Sequence, residues 1–436
     1  MVAAADLSDP ERRAAVAEVL RALRDSAAWR KACALLRPLC LSFGHTRPSG
    51  PLFGAGIFQQ QKEVHQPGSA ASPAVSEIRE IKEQLEKSLH YRHPASELAD
   101  SLTPPLDAAS EWLCHHRADV STPRTRRRKD WMRAAELLAP WDARLRALSR
   151  AAILACNEPH VKCALVACAA ECMGWPDQHL VEHCVLGCPP CGDLPDSGVF
   201  EPHEDPSVMD LSELDHSRWL PELERRVAEK AARSELSDLA SLHDRTLKEV
   251  VDGWAVPIGD RADLEREYAA ELAAGRCRPM ERFPVWQKGK LRPCDNGRSS
   301  LHNACTHLHE KLRLAGADFP ARVAHRFYVL LGDGDWGMGL GTEDVASAYR
   351  RAMCSERGLT VVAQWNPDYE RPGGGRGRVE YYHIRGFNFG LKSAVLWWNR
   401  LAAFTGEVWP PRALLLSSSR APADPRRCSA LPGIAL

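Results

Sequence analysis

The residues best suited to chemistry lie in the C-terminal half of the chain. Asp344 stands in the run Glu343-Asp344-Val345-Ala346-Ser347-Ala348-Tyr349-Arg350, a carboxylate followed five residues later by an aromatic. The residues before it read as a strand, so Glu343 and Asp344 point to opposite faces. A lone carboxylate at a strand end suits a hard ion such as Mg²⁺, which prefers oxygen ligands and keeps several waters. Two-metal phosphoryl transfer needs at least two carboxylates from different strands. Taken alone the pair has a plain structural account: Asp344 caps a helix over 346–351 and Tyr349 packs.

Two further segments bracket Asp344. Upstream, Arg282 to Gln287 and Leu291 to Cys294 read as a β-hairpin turning at Lys288-Gly289-Lys290. Lys290 and Arg292 alternate along the returning strand, so both project from one face, where they suit a triphosphate. The alternative is an ordinary charged sheet edge that discourages aggregation. Downstream, Asn388-Phe389-Gly390 precedes a helical pattern with Ala394, Trp398 and Leu401 on a core stripe. Gly390 permits close approach of the backbone to a ligand. Asn399 and Arg400 lie on the same helix.

Taken in order, the three segments resemble the fingers motif, the first palm motif and the following glycine-helix motif of reverse transcriptases. The stretch Arg292-Pro293-Cys294-Asp295 through Asn303 is similar to the fingers pattern, and Gly192 to Phe200 to a segment upstream of it. The resemblance implies RNA-directed DNA synthesis from dNTPs on an RNA or DNA template-primer, with Mg²⁺ held by Asp344. It implies that Lys290, Arg292, Tyr349 and Gly390 surround the incoming nucleotide, with the Tyr349 ring excluding a 2′-hydroxyl. It implies that Asn399 and Arg400 face the template. The family closes its active site with adjacent aspartates, and no Asp-Asp pair occurs in the chain. The expectation is therefore a catalytically incomplete relative, with Asp318 or Asp368 the alternative second carboxylates. The rival readings are a non-catalytic nucleic-acid-binding module and a helical scaffold without nucleic-acid function.

Among 436 residues, 57 basic and 57 acidic side chains leave no net charge, so any polynucleotide attraction must be local. The densest basic run, Arg124-Thr125-Arg126-Arg127-Arg128-Lys129, reads as a loop that contacts phosphate or directs nuclear import, or as a merely solvated one. No apolar stretch is long enough to span a bilayer, and the N-terminus has no secretory pattern. The expected location is intracellular, nucleus or cytoplasm. Fifteen cysteines in such a chain argue against a disulfide framework. Seven cluster between Cys156 and Cys191, but only Cys188-x2-Cys191 has zinc-knuckle spacing, and no second pair matches it. Cys168 and Cys172 fall four apart, as apolar helix positions do. His302, Cys305, His307 and His309 match no standard metal site, and a loop is the simpler account.

These groups need elements to hold them. The expected class is α+β: an α-helical N-terminal region, then a partial fingers/palm domain. A first helical segment spans 1–44, with Val16, Val19, Leu20 and Leu23 on one face, and 45–74 is a linker. A helical region over 75–185 carries the basic loop and a helix with Ile78, Ile81, Leu85 and Leu89 on one stripe. A further helical region over 186–280 leads in, with helices from Leu214 to Ala232 and from Leu236 to near Gly253. The second of these shows Leu236, Leu239, Leu247, Val250 and Val251 on one side. The fingers/palm segment spans 281–410, with a second strand pair at Phe327 to Leu331 and Met338 to Val345. Residues 411–436 read as a disordered Pro/Ser/Arg-rich tail, replacing the segment where the paired aspartates belong.

Overall fold

The computed structural model describes residues 9–41, 110–111, 114–115, 121–149, 161–214, 216–312, 318–331, 337–340, 348–370, 376–408 and 414–417. Asp344, the 45–74 linker and the Ile78–Leu89 stripe lie outside the described residues. The architecture is mixed helix and sheet, an α+β protein.

The N-terminal part is helical. Helices α1 (Asp9–Arg24), α2 (Ala27–Leu41), α3 (Ser121–Ala147), α4 (Cys163–Met173) and α5 (Leu180–Leu186) pack around one core. Val16 and Leu23 are buried there and Val19 and Leu20 partly so, as the sequence spacing requires. Residues Cys163 to Ala169 of α4 are all buried, which makes it the central helix. Asp142 of α3 accepts a hydrogen bond from the Ala164 amide at 2.7 Å, satisfying one of the orphan donors at the start of α4. Burial raises the Asp142 carboxyl to about 6. The basic run expected in a loop is instead the first turns of α3. Arg and Lys are good helix formers.

A five-stranded sheet carries the C-terminal half. Its order is β3 (Ala255–Gly259), β9 (Arg376–Ile384), β8 (Val361–Glu370), β4 (Met280–Gln287), β5 (Lys290–Asp295). Only the β4–β8 pair is parallel. The expected hairpin is β4–β5, and its turn residues Lys288 and Gly289 both have positive φ, 52° and 71°. That is the pattern of the two-residue turn matching the twist of paired strands. Strand alternation divides the sheet's side chains between two layers. Val361, Ala363 and Tyr381 face Trp219, Leu223 and Val227 of α6 (His216–Ala231) and Leu264 of α8 (Arg261–Glu267). Val362, Tyr382 and Ile384 face Ala394 and Trp397 of α12 (Lys392–Val408). Each fully buried side chain of this size contributes about 1.5–3 kcal/mol.

Helix α7 (Leu236–Val251) follows α6, as expected, but its buried face only partly matches the expected stripe: Leu239 is buried and Val250 partly so. Leu236 and Val251 are exposed, while Leu239, Leu242, His243 and Thr246 are buried. The polar residues are accepted there because buried partners await them: Thr246 Oγ1 lies 2.8 Å from Gln364, whose amide faces His243. The short helix α9 (Ala269–Ala273) completes the stretch before β4.

Two smaller sheets are present among the described residues. One has the order β1 (Gly192–Asp193), β6 (Thr306–Lys311), β2 (Glu201–Asp205). The other pairs β7 (Gly337–Leu340) with β10 (Leu414–Ser417), antiparallel. Leu414–Ser417 therefore departs from the disordered tail expected of 411–436: Leu414-Leu415-Leu416 is apolar enough to form a strand. The expected strand at Phe327 to Leu331 is instead the end of helix α10 (Asp318–Leu331). Val323 and Phe327 are buried one turn apart, a helical spacing that outweighs the β-rich composition. Asp318, one of the alternative second carboxylates, is the first residue of that helix. No helix among the described residues is long and apolar enough to cross a membrane.

Candidate functional site

The loop from Phe387 to Gly390 is where the three chemistry-bearing segments meet. The Phe387 amide donates to the Tyr349 carbonyl at 3.0 Å, and the Asp295 amide donates to the Phe389 carbonyl at 2.9 Å. Tyr349, in α11 (Ala348–Arg351), is half-buried, with its ring edge-on to Phe389 at 5.2 Å between centroids. Asn303 joins both sides: its side-chain amide donates to the Gly390 carbonyl at 2.8 Å and its oxygen accepts from the Lys392 amide at 2.9 Å. Gly390 has φ of 112°, and a Cβ there would stand 2.3 Å from the Asp295 carbonyl oxygen. Only glycine fits, but what crowds it is the chain's own backbone.

Beneath this junction runs a buried chain of charges. Arg350 pairs with Glu249 of α7 at 2.8 Å and donates to the Phe387 carbonyl. Glu249 also pairs with Arg282 of β4 at 2.8 Å, and Arg282 pairs with Asp295 of β5 at 2.7 Å. Asp295 in turn accepts from the Asn388 amide at 3.1 Å. Burial pushes the Glu249 carboxyl up, but the Arg350 and Arg282 guanidiniums outweigh it and hold it down at about 2. Two cations alternate with two anions, so no charge is left uncompensated where desolvation is most expensive. The chain fixes α7, α11, the hairpin and the 387–390 loop relative to one another.

The expected nucleotide cations stand on this frame. Lys290 and Arg292 are exposed on β5, the edge strand of the sheet, and alternate as expected. Arg126 and Lys129 are exposed on α3, and Arg127 and Arg128 partly so.

Arg400 is placed differently from expectation. Its side chain is fully buried and pairs with Glu310 of β6 at 2.6 Å, and it donates to the Pro195 carbonyl. It cannot reach a template from there. The side chain of Asn399 folds back on its own helix, donating to the Val395 carbonyl at 2.7 Å. The core stripe of α12 is Ala394, Trp397, Arg400 and Phe404 rather than Ala394, Trp398 and Leu401. The register differs by one residue because the helix packs on two sides, with Phe404 edge-on to Trp175 in the helical domain at 5.5 Å.

The Cys188-Pro-Pro-Cys191 segment clamps α12, and among the described residues its thiols join no group of three candidate metal ligands. The Pro189 carbonyl accepts from Trp397 Nε1 at 3.0 Å and the Pro190 carbonyl from the Ser393 hydroxyl. Both thiols are buried, which raises them far above the range in which a thiolate forms. His302 is likewise internal, bonded to Ser300 and the Leu359 carbonyl, and Cys305 is buried. Cys168 and Cys172 of α4 do share a helical face, but together with Cys33 of α2 they form a three-thiol group. The Cys33 and Cys168 sulfurs are 3.5 Å apart. A hydrogen bond from Cys168 holds the Cys172 thiol down at about 7.

The buried charge chain was not visible in the sequence. Glu249 and Arg350, which pair directly, are 101 residues apart. The one available sign was an Arg at position 282 inside an otherwise strand-like run. No family model, no curated protein and no solved structure matches the chain.

Proposed function

We propose that this chain is a reverse-transcriptase-like protein that binds a polynucleotide and a nucleoside triphosphate along the β4–β5 hairpin and the Phe387–Gly390 loop. In this reading it does not itself extend a primer. The supporting observation is the meeting of three segments distant in sequence, around Asp295, Tyr349 and Phe387–Gly390. Lys290 and Arg292, exposed on the edge strand, supply the phosphate contacts. Tyr349 and Phe389, edge-on to one another at the Asp295 end of the hairpin, supply apolar ring surface.

The Mg²⁺ that the resemblance implies does not fit the carboxylates described at this junction. Asp295 is buried against Arg282 and Asn388, and Glu249 is held between Arg282 and Arg350. Their charge is already matched by two buried guanidiniums, so a divalent ion there would add uncompensated positive charge. Asp368, the other alternative carboxylate, lies in β8, where its amide donates to the Asn366 side chain. The junction therefore binds and positions, and no catalytic step runs through a metal held by these carboxylates.

The test is binding of a primer-template by the full chain across a salt series. Each phosphate contact contributes about 0.9 to the slope of log K against log salt. Lys290→Ala with Arg292→Ala should therefore flatten the slope by about 2. An unchanged slope with unchanged affinity would remove the hairpin from the reading. Template-dependent dNTP incorporation that disappears in Asp344→Asn would overturn the claim that chemistry is missing.

A further inference from the structure

The three-stranded sheet gathers two histidines and two carboxylates on its outer face. His307 and His309 are two apart on β6, so their rings project from the same side, with centroids 4.1 Å apart. Asp193 on β1 is the direct register partner of His307. Its Oδ1 lies 3.5 Å from His307 Nδ1 and 2.6 Å from His309 Nε2. Glu204 of β2 stands on the opposite side of the rings, 2.7 Å from His307 Nε2 and 3.1 Å from His309 Nδ1. It comes from a stretch where the β2–β6 register shifts, between Pro202 and Asp205, and such bulges re-aim a side chain.

The two carboxylates therefore play different parts. Glu204 accepts from one nitrogen of each ring. That fixes both tautomers and turns the other two nitrogens, His307 Nδ1 and His309 Nε2, toward Asp193. A carboxylate behind each metal-binding imidazole is the usual outer partner of a histidine ligand. We propose that Asp193, His307 and His309 form a binding site for a divalent first-row transition ion such as Zn²⁺, with Glu204 orienting both imidazoles.

The dimensions suit such an ion. The three ligand atoms lie within 4.8 Å of one another. Neighbouring ligands around tetrahedral zinc, with bonds of about 2.0 Å, stand roughly 3.3 Å apart. The observed 3.5 and 2.6 Å from Asp193 Oδ1 bracket that value, and small adjustments of the carboxylate and the two rings would admit the ion. Imidazole and carboxylate donors favour zinc, cobalt or nickel over Mg²⁺. The strand behind the site is rigid: Glu310, the next residue after His309, points the other way and is locked by Arg400. Three protein ligands at a solvent-facing position leave a fourth place for water or a donor from a bound molecule.

The experiment uses the full chain, freed of metal by chelation, titrated with Co²⁺ and then Zn²⁺. The expected result is one equivalent of Co²⁺ giving visible ligand-field bands without thiolate charge transfer, displaced by Zn²⁺. Asp193→Asn and His309→Gln should each weaken binding at least tenfold, while Glu204→Gln should weaken it about 10–100-fold with the bands retained. These side chains are partly or largely exposed, so unchanged thermal midpoints of the metal-free variants establish that each remains folded. Absence of saturable binding would overturn the proposal, as would binding indifferent to both ligand substitutions. Cobalt bands with thiolate charge transfer would also overturn it, assigning the ion to Cys33, Cys168 and Cys172 instead.

Discussion

Replacing Arg400 separates a structural role from a template-binding one. Its guanidinium and the Glu310 carboxylate are both fully shielded from water and 2.6 Å apart. The guanidinium also lies 4.4 Å over the Trp397 ring. Arg400→Met keeps much of the volume but removes the cation from the Trp397 ring and leaves Glu310 buried without a counter-charge. Losing one partner of a buried ion pair costs about 3–5 kcal/mol. The Ser197 hydroxyl and amide still donate to Glu310, which softens the loss but does not neutralise the charge.

The assay is urea unfolding followed by tryptophan fluorescence, since Trp397 and Trp175 both contact α12 or belong to it. Arg400→Met and Glu310→Gln should each lower stability by that amount at neutral pH. The double variant should cost less than either single, because the introduced amide would still accept from Ser197 and no charge remains. A cost under about 1 kcal/mol, together with weakened primer-template binding, would refute the structural assignment and return Arg400 to the nucleic-acid surface.

Three further outcomes are expected. His383 is held neutral, down at about 4, first by burial and then by the Arg357 and Arg385 charges, and burial likewise holds His183 at about 3. Both pKa values are depressed, so their stability contribution is complete above the unfolded value of about 6.5 and is lost as pH falls toward 4. Chemical denaturation at pH 7 and 4.5 should show that loss, about 2–3 kcal/mol for His383, and His383→Phe should flatten its share. Gly390→Ala combines a positive φ with a Cβ 2.3 Å from the Asp295 carbonyl oxygen, and should cost at least about 1–3 kcal/mol in thermal or urea unfolding. Cys172, held at about 7 and only partly buried, should be alkylated well before the buried Cys168 and Cys188 near neutral pH. Peptide mapping after limited iodoacetamide treatment checks that order.

What could be read ahead of the structure was local, and what could not was long-range. The β4–β5 hairpin was legible because Lys288-Gly289 sits between two alternating strands, and turn chemistry acts over two residues. Helices α6 and α7 were legible as elements, but the buried face of α7 only in part, through Leu239 and Val250. Leu236 and Leu247 looked like core, yet Thr246 and His243 are inside, since Gln364 and Arg282 arrive from distant strands to satisfy them. The same gap explains Arg400. An arginine on an amphipathic helix reads as surface until Glu310 is seen opposite it.

The histidine cluster shows the limit from the other side. The alternation His307-x-His309 places two rings together, and strand periodicity alone predicts that much. Their partners, Asp193 and Glu204, lie 116 residues from His309 and 103 from His307, and belong to two different strands. His302 and Cys305, nearer in sequence, were the tempting companions but are packed inside. Sequence spacing alone matched no standard site and read as a loop, whereas His307 and His309 lie on strand β6. Sheet register, through the Asp193–His307 pairing and the shift in β2, selected their partners. The same β6 strand then carries two functions of opposite polarity. Its inward face locks α12 through Glu310 and Arg400, and its outward face holds a donor set that this lock keeps rigid.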